Sequence, residues 1–398
     1  MRVLLLTGKG GVGKTSMALA TALAAAERGH RCAVISTDAA HSLGDALGRP
    51  VGPRPVAIAE RVTAQEVSAL AELDRSWSEI QAWLQAALFE SDSLAAEELL
   101  VFPGLEELVA LRAVHEVEVA GEHDVCVVDC APTGSTLRML RLPDVLRHLM
   151  QNLWQWERRT ARVLRPVAEK LGAGRFIAPE SVFDAFERLY AEVESVRQIL
   201  LDEDRTSARL VVNPARVVID ETRRSFAYLC LYGVATDAVL VNRVLPESAA
   251  HGYFARWAER ERAELADIEK SFPVPKLFAP LHPSEVRGVD ALAELGREVY
   301  GVRDPAELFV RRRPVRLAKR DGAALLEIDM PSARADEVDV WIRGHDLFVS
   351  VRDFERRFAL PGSIGGLPIA GTRWRDGVLE VRFAPASLAQ RTEGERRP

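Results

Sequence analysis

Soft metal ligands and membrane-length apolar runs are what this chain has least of. It carries four cysteines and five methionines in 398 residues. Cys32, Cys126, Cys130 and Cys230 form no Cys-x-x-Cys pair and have no histidine cluster beside them. Neither a thiolate zinc site nor a disulfide framework is therefore expected. Buried free thiols in a reducing compartment suit that usage. No run reaches the roughly 18 apolar residues of a membrane helix, so no integral membrane segment is expected. The first residues already read as a core strand and leave no room for a signal peptide, which makes a cytoplasmic location the expectation. Formal net charge is −6, without the basic excess that bulk nucleic-acid binding needs.

What remains is ordinary soluble composition, 48% hydrophobic and 28% charged, long enough for two or three domains. Strand-like apolar runs alternate with helical stretches: Val3–Leu6, Cys32–Thr37, Val125–Val128, Leu210–Val212 and Ala238–Val241, then an αβ segment over Lys276–Tyr300. Residues 64–119 and 143–203 read as mostly helical. The pattern predicts an α/β fold with a mostly parallel sheet and ligands at its carboxyl edge. After Tyr300 the character changes. Residues 302–320 are Arg-rich, contain Pro305 and Pro314, and read as a basic linker. Its Arg311-Arg312-Arg313 could touch anionic lipid, but a solvated face is preferred. Short period-two runs follow over 321–385 (Ala324–Met330, Val338–Ile342, Leu347–Val351, Phe354–Leu360, Val378–Phe383), separated by turn residues, and predict an all-β sandwich. Residues 386–398 are polar and predicted disordered.

Between the first strand and the first helix lies Gly8-Lys9-Gly10-Gly11-Val12-Gly13-Lys14-Thr15, followed by Ser16. Glycines let successive backbone N–H groups curl around an anion. The helix beginning near Thr15 adds its positive end. Lys14 is placed for the β- and γ-phosphates and the Thr15 hydroxyl for Mg²⁺. Two acids end the next strands, Asp38 and Asp129. An acid beside such a loop can orient the attacking water or hold Mg²⁺ through water. Either could instead cap a helix.

These segments resemble one ATPase family. Gly8–Thr15, Asp38–Leu43 and Asp129–Arg138 are similar to the P-loop, switch I and switch II of the ArsA/Get3 (TRC40) ATPases, which carry a deviant Walker A motif. The likeness continues through Pro103–Glu107, Val241–Pro246 and Pro280–Gly288, and covers about residues 1–301. It implies an Mg-dependent ATP hydrolase that works as a homodimer, with Lys9 reaching the nucleotide of the partner. It further implies that Asp38 positions the hydrolytic water, that Thr15 ligates Mg²⁺ with Asp129 behind it, and that Lys14 serves the phosphates. Asn242 and the loop Pro280-Leu281-His282-Pro283-Ser284-Glu285-Val286-Arg287 would hold adenine; Asn242 alone could equally be a strand-end turn. Ala39 stands where the family has proline, and Ser135 where it has histidine. Ala250 and Tyr253 stand where eukaryotic members carry a zinc-binding Cys-x-x-Cys pair.

The C-terminal segments Phe354–Pro361 and Ala370–Leu379 resemble the α-crystallin domain of small heat-shock proteins, and the combination is Get3d-like. The resemblance implies a chaperone or targeting factor for hydrophobic segments of the tail-anchored type, and leaves a membrane receptor open. Trp77, Trp83, Leu149, Leu153, Trp154 and Trp156 are candidates for an apolar groove, against ordinary helix core. Two alternatives stand beside it: an arsenite- or anion-transport-coupled ATPase, which would need soft ligands, and a nucleotide-stabilised scaffold without turnover.

Overall fold

A computed structural model describes residues 1–37, 42–67, 105–131, 180–320, 323–365 and 367–384. Eight strands form one sheet: β1 (Arg2–Thr7), β2 (Cys32–Ser36), β3 (Val56–Ala59), β4 (Val62–Glu66), β5 (Val125–Asp129), β6 (Thr206–Val212), β7 (Thr236–Val244) and β8 (Lys276–Pro280). Their spatial order is β3-β4-β2-β5-β1-β6-β7-β8. All pairings are parallel except β3 with β4, at one edge.

The strands are apolar on both sides because helices cover both faces. Leu4, Leu6, Val34, Val127, Val211 and Leu240 point to α1 (Lys14–Ala26), α2 (Ser42–Leu47) and α7 (Val289–Tyr300). Val3, Leu5, Ile35, Val128, Leu210 and Val241 point to the opposite face. There lie α3 (Leu105–Ala120), α4 (Glu180–Leu201), α5 (Arg216–Tyr232) and α6 (Ala255–Ser271).

Helix α5 also carries the C-terminal sandwich. A four-stranded antiparallel sheet, ordered β14-β15-β10-β9, combines β9 (Val315–Arg320), β10 (Ala323–Asp329), β14 (Ile369–Arg375) and β15 (Val378–Phe383). A three-stranded one holds β11 (Val338–Arg343), β12 (Asp346–Val351) and β13 (Phe354–Ala359). Leu326, Ile328, Leu347, Val349, Val381 and Phe383 fill the space between and join the same apolar cluster as Phe226, Leu229 and Tyr232 of α5. The Tyr232 hydroxyl donates to Glu355 O at 2.9 Å, and Arg356 Nη1 donates to Leu231 O at 2.6 Å. The sandwich is thus seated on the ATPase unit rather than tethered to it.

Three expectations change. The helical reading from residue 64 overlaps β4, whose Val62 and Ala64 alternate inward with period two. The expected linker 302–320 ends in β9, which pairs with β10 from Ala323↔Arg320 to Ile328↔Val315. Its three consecutive arginines are spent on the chain's own carboxylates: Arg311 on Asp204 at 2.6 Å, Arg312 on Asp329 and Arg313 on Glu203. The third change is that the strand expected at Leu210 begins at Thr206 and contains Arg209. Asp38, His41, Ser135, the Trp and Leu groove candidates and the tail 386–398 lie outside the described residues.

Candidate nucleotide site

The phosphate-loop candidates lie together at the carboxyl end of β1. Gly8 has no room for a side chain: a Cβ there would meet Val211 O at 2.4 Å. Gly13 has φ 93°, and a Cβ would meet Asn242 Nδ2 at 2.4 Å. Only glycine serves at either position. Helix α1 starts directly after Gly13 with no side-chain cap and no acid in its first turn. Its first amides are thus left for an anion, which is what helix N-termini bind well. Buried Lys14 donates from Nζ to Lys9 O at 3.3 Å, so its ammonium is folded back along the loop.

Asp129 gathers the neighbouring hydroxyls. It ends β5 and is buried. Thr15 Oγ1 donates to Asp129 Oδ2 at 2.7 Å, and Ser36 Oγ donates to the same oxygen at 3.4 Å. Thr15 Oγ1 also lies 3.0 Å from Ser42 Oγ, at the start of α2. Because the Thr15 proton points at the carboxylate, the lone pairs of its oxygen are available to a cation. A hard cation such as Mg²⁺ is bound by oxygens of this kind, with water and phosphate completing the shell. The donor set therefore fits Mg²⁺. Among the described residues, no cluster of three or more His, Cys, Asp or Glu offers an all-protein cage.

Asn242 sits at the end of β7, and its amide spans two neighbours. Nδ2 donates to Val12 O at 2.8 Å, and Oδ1 accepts from Arg243 N at 2.8 Å. It therefore braces the phosphate loop. The strand-end geometry is tight, with Arg243 at φ 60° and its guanidinium donating to Gly11 O at 3.2 Å. Sequence reasoning missed Arg243; the cue was its place directly after Asn242. It also missed Asn213, whose amide donates to Val12 O at 3.2 Å in the orientation its neighbours require.

The 280–287 loop leaves the end of β8 beside Asn242, since Val244 pairs with Pro280. Leu281 N donates to Val244 O at 2.7 Å, and Arg287 Nε donates to Asp45 O at 3.0 Å. Val286 packs on the apolar cluster with α2, while Pro283, Ser284 and Glu285 are exposed. The His282 ring is 3.0 Å from Glu298 of α7. The loop is thereby pinned at both ends and open in the middle. Lys9 Nζ forms an ion pair with Glu221 Oε2 of α5 at 3.3 Å.

The four cysteines are buried and form no disulfide with one another. Burial pushes the thiols of Cys32, Cys126 and Cys230 up to about 12. They are not thiolates at neutral pH and are poor ligands there.

Residues 1–301 match the anion-transporting ATPase family, and residues 321–383 match the HSP20-like domain found in ArsA. The chain belongs to the anion-transporting ATPase family. It is an ATPase with a small-heat-shock-type C-terminal domain. A family relative in Prosthecochloris vibrioformis, provisionally named an arsenical pump-driving ATPase, is 34% identical over 388 residues, covering 96% of each chain. Another of the same provisional name in Aquifex aeolicus is 32% identical over 92% of this chain and 96% of its own. Arabidopsis thaliana ATPase GET3C is 30% identical over 74% of this chain and 81% of its own. Among the described residues no helix is long and apolar enough to cross a membrane.

Proposed function

We propose that this ATPase works as a cytoplasmic homodimer that encloses Mg-ATP between its subunits and uses hydrolysis to control the binding of hydrophobic protein segments. The observation that carries the nucleotide part is the uncapped start of α1 behind a glycine loop, with Thr15 held at 2.7 Å from Asp129. In this reading the amides of Gly10 to Thr15 take the β-phosphate. Lys14 leaves Lys9 O and turns to the β- and γ-oxygens. Thr15 would hold Mg²⁺ through its hydroxyl oxygen while its O–H donates to Asp129. Mg²⁺ would supply charge neutralisation for the phosphates. Asp38 orients the attacking water, and the partner's Lys9 adds positive charge where the leaving γ-phosphate is released. Asn242 and the 280–287 loop hold the adenine end. The reading divides the chain into an ATPase unit over 1–301 and a β-sandwich that starts with β9, the segment 302–314 joining them.

Apolar clients are favoured by the likeness to ATPase GET3C. Arsenite coupling is favoured by the provisional names of other relatives, but three thiols held near pKa 12 count against a soft-ligand site. The test compares Lys14→Ala with Asp38→Asn. Asp38→Asn should retain Mg-ATP, stop phosphate release and trap the client on the dimer. Client release at the normal rate by Asp38→Asn would turn the reading toward a scaffold. Arsenite-stimulated hydrolysis would turn it toward transport.

A further inference from the structure

The ion pair of Lys9 joins the phosphate loop to a helix whose far end is held by the C-terminal sandwich. Glu221 sits in the second turn of α5, 29% exposed, facing Lys9 at 36%. Two turns on, the Tyr228 ring lies 4.3 Å from that of Phe354. At the end of the helix, Arg356 and Glu355 of β13 bind Leu231 and Tyr232. A cleft of about 390 Å³ between α5 and the sandwich is bounded by Asp220, Arg223, Arg224 and Tyr228 on the helix side. The helix is therefore clamped at its far end by a domain outside the ATPase unit, and its near end presents one carboxylate to Lys9.

We propose that Glu221 is a positioning residue that holds Lys9 on its own subunit until a second subunit arrives. The inference rests on the homodimer reading, in which Lys9 must leave its own chain to reach the partner's nucleotide. Lys9 cannot serve both places, so each pairing event breaks two Lys9–Glu221 contacts, one per subunit. The sandwich sets where Glu221 stands by fixing α5. A half-exposed ion pair of this kind resists weakly and is screened by salt. The expected effect is thus a threshold on pairing and not a block.

The experiment measures self-association of the full chain by sedimentation, in Mg²⁺ and a non-hydrolysable ATP analogue at low salt. Glu221→Gln should tighten the dimer about two- to fivefold, and the gain should vanish near 1 M salt. Glu221→Asp, one methylene shorter, should fall between Glu221→Gln and the parent. In a Lys9→Ala background, Glu221→Gln should change association by less than about 1.5-fold, because the pair is already gone. Equal dimer strength in parent and Glu221→Gln, or the same gain with and without Lys9, would overturn the role given to Glu221 while leaving the homodimer standing. A parent chain that stays monomeric with the analogue would instead overturn the homodimer reading itself.

Discussion

Thr15 donates its hydroxyl proton to Asp129 at 2.7 Å, which joins the first helix to the end of β5. The contact fixes which side of the Thr15 oxygen faces outward. Asp129→Asn keeps the shape but removes the charge and lets the amide donate where a carboxylate accepted. Hydroxyls of Thr15 and Ser36 converge on Oδ2, where the amide oxygen can still accept them, so the main loss is the negative charge behind the Thr15 oxygen. Second-sphere changes of this type typically cost 10- to 100-fold in metal affinity or activity. A rise of that size in the Mg²⁺ needed for half-maximal phosphate release is expected, and an unchanged Mg²⁺ titration would refute it. Thr15→Ala should do at least as much damage.

Asn242→Ala removes a buried amide that serves two backbone groups. Val12 O loses a donor and Arg243 N loses its acceptor. The loss is about 1–3 kcal/mol, part felt as a lower urea midpoint and part as looser nucleotide. The expected signature is KM for ATP raised about tenfold with kcat changed much less, because the amide shapes the loop and does not face the scissile bond. A selective fall in kcat would contradict this.

The parallel sheet was readable because strands buried on both faces leave continuous apolar runs, as in Val125–Val128. The phosphate loop was readable because its glycines are fixed by close approach and by φ, not by distant partners. What failed were the places where tertiary partners override local signals. Arg209 looked like the boundary of a strand but lies inside β6, satisfied by Asp237, Tyr300 and Glu307 O. Val315–Arg320 looked like a linker because its charges are dense; they are tolerated because β9 is an edge strand whose Arg316 and Arg320 reach Glu327. Glu221 could not be matched to Lys9 at all, since 212 positions separate them. Crossovers of that length carry no local trace.

Thiol chemistry offers a pH test. Burial raises Cys32, Cys126 and Cys230 to about 12 in the folded chain, against about 8.5 for an exposed thiol. The folded pKa is above the unfolded one, so the protonated thiol is the form the fold prefers. The stability this preserves is complete below about pH 8.5 and is lost as pH rises toward 12. Native protein should therefore resist iodoacetamide at these three positions at pH 8, and modification should track global unfolding in urea. Fast labelling of any of the three in native buffer would show an open path to that thiol. It would also revive the soft-ligand alternative.

The pair Arg209–Asp237 invites a harder test, because both side chains are fully buried. Arg209 Nε and Nη2 meet the two oxygens of Asp237 at 3.1 Å each, and the guanidinium lies 4.4 Å from the Phe309 ring centre. Burial lowers the affinity of Arg209 for its proton, but Asp237 and Tyr300 more than restore it, so the group stays charged. Arg2 shares Asp237 at 3.3 Å, and burial lowers its own pKa to about 10. Asp237→Ala would strand both guanidinium groups without their carboxylate and should cost about 3–5 kcal/mol. It should also free the segment around Phe309, whose N–H donates to Asp237 Oδ2 at 3.4 Å. Replacing both partners, Arg209→Met with Asp237→Leu, removes the stranded charge of Arg209 and should be less damaging than Asp237→Ala alone. Urea unfolding of the two variants decides it. If the double variant proves the weaker, the pair contributes attraction beyond its desolvation, and its purpose is stability rather than fixing where the 302–310 segment meets the sheet.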